Sequence, residues 1–65
     1  IMENNIIKLI SKIGEEFENV EIDASKFIEG NNSAGTRLRK QMQAIKNLAQ
    51  EIRVEVQKQK NEVLI

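Results

Sequence analysis

Three cations, Arg37, Arg39 and Lys40, fall within four positions of this 65-residue chain, and no acid stands between Glu29 and Glu51. Around them are Gly30, Gly35 and the small polar residues Asn31, Asn32, Ser33 and Thr36. Guanidinium forks suit phosphate oxygens, and the Thr36 hydroxyl adds a donor. Gly35 would let an anion approach the backbone, and a helix beginning here would point free N–H groups at it. The chemistry on offer is phosphate binding. The plainer account is a set of solvated cations at a hairpin tip, steadied by Glu29. Residue types alone weigh the two evenly.

The elements that position this cluster follow from apolar spacing. Ile6, Ile10, Ile13, Phe17, Val20, Ala24 and Phe27 alternate four and three apart, which predicts a helix from about Glu3 to Glu29. Gly14 within it invites a bend or early fraying, at about 1 kcal/mol relative to alanine. Gly30 suits the left-handed position that closes the helix, and Ser33 is the expected cap of the next. The turn is thus placed at residues 30–33. A second stripe, Leu38, Met42, Ile45, Ala49, Ile52 and Val56, predicts a helix from Ala34 to about Asn61, fading after Gln59. Arg37, Arg39 and Lys40 then occupy its first two turns, where acids are normally preferred.

So short a connection favours antiparallel helices. The fold expected is all-α, a single helical-hairpin domain over residues 1–65. Ile7, Leu9, Ile28 and Leu48 widen the apolar faces beyond what two helices cover, so a homodimer forming a four-helix bundle is expected. The hairpin brings Lys26 near the tip.

Composition closes off other classes. The chain has no cysteine and no histidine, which removes disulfides and most transition-metal sites. No metal or other cofactor is expected, nor a nucleophile–base pair, so no enzyme. No apolar run reaches membrane-spanning length, and a cytoplasmic, nucleoid location is expected. Formal net charge is zero, yet residues 1–30 carry three cations against seven acids and residues 31–65 seven cations against three. The acidic run Glu15, Glu16, Glu18, Glu21 and Asp23 is expected to be a solvated helix face, partly paired with cations elsewhere. Arg39, Lys46, Arg53 and Lys60 recur every seven residues. That row suits a phosphate backbone, but for the last three, pairing with Glu21, Glu16 or Asp23 of neighbouring helices is the favoured expectation.

The stretch from Gly30 to Lys40, with its Ala34-Gly35-Thr36-Arg37-x-Arg39-Lys40 core, resembles the signature of small bacterial linker-histone-like nucleoid proteins, the chlamydial-type histone-like family. Residues 42–53 resemble that family's second helix, and the similarity runs from Phe27 to about Lys58. It implies DNA binding and nucleoid organisation without catalysis. Asn32 and Ser33 depart from the pattern, and no long Lys-rich tail stands in these residues, so weak binding is expected in place of strong condensation. The expected site comprises Gly35, Thr36, Arg37, Arg39 and Lys40, with Lys26 and Lys46. With no aromatic group placed to stack bases, contact with DNA phosphates of any sequence is expected. The alternative is a coiled-coil hairpin that mediates protein–protein interaction.

Overall fold

In the computed structural model of the chain, which describes residues 4–63, asparagine side chains open both helices. The Ile6 N–H donates to Asn4 Oδ1 at 2.8 Å at the start of α1 (Asn5–Ile28). The Ala34 N–H donates to Asn31 Oδ1 at 3.1 Å at the start of α2 (Asn32–Val63). Asn31 is therefore the second cap, and Ser33, the expected one, lies inside the first turn. Glu3, where the first helix was expected to begin, is outside the described residues. Gly14 does not interrupt α1.

The connection is only Glu29, Gly30 and Asn31. Gly30 has φ of 109°, a backbone geometry that side-chain-bearing residues rarely adopt. Its N–H reaches the Phe27 carbonyl at 2.9 Å, and the Asn31 N–H reaches the Lys26 carbonyl at 3.0 Å. These two bonds satisfy two carbonyls of the last turn of α1. Asn31 thus closes one helix with its backbone and opens the next with its side chain, leaving room only for an antiparallel return.

The helices lie side by side in a single flat layer of 54 × 22 × 11 Å. The radius of gyration is 15.6 Å, against roughly 11 Å for a compact domain of this length. Only Ala34 and Asp23 are buried among the described residues.

The seam between the helices differs from the stripes expected. On α1 it runs through Ile6, Leu9, Ile13, Glu16, Val20 and Asp23. On α2 it runs through Ala34, Leu38, Gln41, Ile45, Leu48 and Ile52, then Glu55 and Gln59. The expected positions Ile10, Phe17, Met42, Ala49 and Val56 are exposed instead. They sit one residue beyond the inner positions on each helix, and in an antiparallel pair those positions share one flank. Apolar spacing alone could not divide so wide a face into seam and flank, because both registers alternate three and four. At the open end, Asn4 and Gln59 exchange two amide hydrogen bonds at 3.1 Å each. Gln59 also donates to Glu55 Oε1 at 3.2 Å, so the seam continues in polar form where the apolar stripe fades.

Near the tip the helices pack tightly. A Cβ at Gly35 would lie 2.6 Å from Cδ1 and 2.7 Å from Cε1 of Phe27. The ring therefore rests on the α2 backbone itself. Gly35→Ala gains about 1 kcal/mol of helix propensity but displaces the ring, an overpacking cost of about 1–3 kcal/mol. Thermal melts should show net destabilisation of about 1 kcal/mol. In a Phe27→Ala background, where the clash is gone, Gly35→Ala should stabilise. The same loss in both backgrounds would show that the ring contact does not constrain Gly35.

Candidate nucleic-acid interface

The seven residues singled out by sequence do not form one cluster. Ala34 turns inward and is fully buried, which aims its neighbours outward by helical rotation. Gly35 is half-buried beneath Phe27, so the ring occupies the approach expected for an anion. Thr36, Arg39 and Lys40 are exposed, and with Gln43 they line a shallow concavity on α2. Lys26 is exposed in the last turn of α1, where its charge also suits the helix dipole. Lys46 is exposed as well, but it stands one heptad beyond Arg39, about 10 Å along the helix.

Arg37 has a partner that the sequence reading did not assign to it. Its Nε donates to Asp23 Oδ1 at 3.2 Å, and one terminal nitrogen lies 3.1 Å from the same oxygen. The other carboxylate oxygen accepts from Gln41 Nε2 at 2.7 Å. Asp23 is 6% exposed, so this acid bridges the helices inside the seam: pairing with a cation was expected for its run, removal from the solvated face was not. Glu16 is likewise turned toward the seam and half-buried, whereas Glu15, Glu18 and Glu21 are exposed. Gln41 gives its amine to Asp23 and leaves Oε1 buried with no hydrogen-bond partner.

The inward placement of Asp23 and Gln41 escaped the sequence reading because polar residues break an apolar stripe. A signal was present: both lie at inner positions of the alternative register, one heptad from Glu16 and Leu48. The misplaced charge at the start of α2 is also milder than expected. The helix begins two residues earlier, so Arg37 lies beyond the first turn, where the dipole's influence falls away, and Asp23 neutralises it.

The rest of α2 keeps its cations outside the seam. Lys46, Arg53 and Lys60 are exposed, and none pairs with an acid among the described residues. A second shallow concavity is lined by Lys46, Asn47, Ala49, Gln50 and Arg53.

Fold and charge together define a class of small all-α hairpin that presents cations from one helix. The family follows from the sequence: residues 7–62 match the family model described as histone H1-like protein Hc1, and the chain belongs to that family. It is therefore a histone-like, DNA-binding type of nucleoid protein. No curated protein and no solved structure matches the chain. No helix among the described residues is long and apolar enough to cross a membrane.

The Arg37 guanidinium, and after it the Gln41 amide, hold the Asp23 carboxyl below its usual range against the opposing effect of burial. A carboxyl depressed on folding stabilises the fold above the ordinary aspartate range and loses that effect as pH falls through its lower folded value. The contribution should be complete above about pH 4 and vanish progressively below it. Asp23→Asn should lower stability at pH 7 and flatten this part of the acid limb in circular-dichroism titrations. An unchanged acid limb would mean that Asp23 is not held by Arg37 in solution.

Proposed function

We propose that this protein binds duplex DNA weakly and without sequence preference, as a homodimeric organiser of the nucleoid, acting through the phosphate backbone and without catalysis. The observation that carries the reading is the exposed, unneutralised group Thr36, Arg39 and Lys40 around one concavity at the tip end of α2. Lys26 joins it from α1, and Arg37 adds the guanidinium edge that Asp23 leaves free. Gly35 supports this surface by admitting Phe27, and touches no phosphate. The chain's two aromatic residues are Phe17 and Phe27. Phe27 is engaged in packing on Gly35 and Phe17 belongs to the apolar flank, so this reading assigns neither ring to base stacking.

Phosphate contact releases counterions, so the logarithm of affinity should fall against the logarithm of salt concentration with slope about −0.9 per phosphate. About four contacts at one tip give a slope near −3.6, steeper if both tips of a dimer engage. Arg39→Glu with Lys40→Glu should abolish retention of duplex DNA while leaving the helical signal intact, because neither side chain enters the seam. Tight preference for one sequence over its scrambled form would sink this reading.

Dimerisation rests on surface area. The chain exposes 5437 Å², where a compact monomer of 7.5 kDa exposes roughly 4,200 Å². The excess over two chains is about 2,400 Å², in the range of obligate dimer interfaces. The flank bearing Ile10, Phe17, Met42 and Val56 is the surface a second copy would cover, forming a four-helix bundle. Sedimentation equilibrium at micromolar concentration should give twice the chain mass, and Phe17→Glu should reduce it to one. A wild-type chain that is stably folded as a monomer would refute the dimer. A dimer that retains no DNA even at low salt would leave the interaction-module reading in its place.

A further inference from the structure

We propose that the DNA contact extends beyond the tip as a track along the outer face of α2, with Arg39, Lys46, Arg53 and Lys60 as its cations. The inference rests on the DNA-binding reading above and deepens it. These four side chains repeat every seven residues and so form a nearly straight row about 30 Å long. Beside the row run Thr36, Gln43, Gln50 and Gln57, again seven apart, all exposed and all able to donate to phosphate oxygens. The two concavities of α2 lie in succession along this face, and each joins two cations to one of these glutamines.

The acids of α2 lie on the side of Gln50 that faces α1, not in the cationic row. Glu51 and Glu55 line a depression with Asn5 and Leu9 of α1, and Glu62 repeats the heptad position of Glu55. The favoured expectation for three of these cations, pairing with Glu21, Glu16 or Asp23 of neighbouring helices, is not met within the hairpin: among the described residues Asp23 takes Arg37 and no acid takes the row. The equivalent row of α1 is Ile7, Gly14, Glu21 and Ile28, with a single acid to answer four cations. Four unneutralised charges held at a fixed spacing on a rigid helix therefore match a polyanion.

The test compares two double variants of the full chain with equal loss of charge. Lys46→Gln with Arg53→Gln removes the middle of the track. Lys12→Gln with Lys58→Gln removes exposed cations outside it. Glutamine is a good helix former, so both should keep the fold, which circular dichroism checks. On duplex DNA titrated at several salt concentrations, the track double should weaken binding about tenfold or more and flatten the salt slope by about 1.8. The control double should leave the slope unchanged. Equal losses in both would reduce the effect to net charge and overturn the track. An unchanged slope in the track double, with DNA binding still lost in the Arg39→Glu and Lys40→Glu protein, would confine the site to the tip. If the track double instead loses self-association in sedimentation, the row serves a protein contact and the inference fails. Absence of DNA binding by the unmodified chain would overturn the functional reading itself, a result distinct from the other three.

Discussion

The carboxylate of Asp23 is the constraint on which the tip depends. A charge removed from water must be paired and hydrogen-bonded, or it costs more than a short seam can supply. Asp23 meets that demand with Arg37 on one oxygen and Gln41 on the other, both from α2. Sliding the helices by one residue would leave an unpaired acid inside the seam. The polar exchange between Asn4 and Gln59 acts in the same way at the far end. Between these two points the seam is mostly apolar, with Glu16 and Glu55 at its edge, and its apolar contacts would tolerate several registers. Specificity of alignment therefore lies in the polar pairs, and the apolar residues supply adhesion.

This arrangement changes what the glycine- and arginine-rich signature means. Ala34 is small because it is fully enclosed, Gly35 lacks a side chain because Phe27 lies against it, and Arg37 answers Asp23. Much of a stretch that resembles a ligand loop in one dimension builds the hairpin in three. The cations left over are Arg39 and Lys40, carried outward by the same helical rotation that buries Ala34. In the function proposed for it, this one segment would serve structure and binding by dividing its faces.

A flat pair of helices also has two kinds of surface left to use. The flank with Ile10, Phe17, Met42 and Val56 is apolar and suits a second hairpin, while the outer face of α2 is cationic and free of acids. They adjoin without coinciding, so dimerisation need not compete with DNA. The zero net charge hides this division, because the acids are concentrated on α1 and in the seam.

The sequence by itself determined that the chain forms two helices, where they turn back and that one carries the cations, since periodicity, Gly30 and the charge pattern are local properties. The family could also be read from residues 30–40, because a short motif survives without knowledge of its contacts. Which apolar residues meet was not legible. Ile10 and Leu9 are equally apolar, and both registers have helical spacing, so only packing of one helix against the other chose Leu9. The roles of Asp23, Arg37 and Gly35 were hidden for a related reason. Each is defined by a partner on the opposite helix, and a charge or a missing side chain looks the same in sequence whether it faces water, phosphate or a neighbouring ring. Only the tertiary structure decided among them, by bringing Phe27 onto Gly35 and Asp23 onto Arg37.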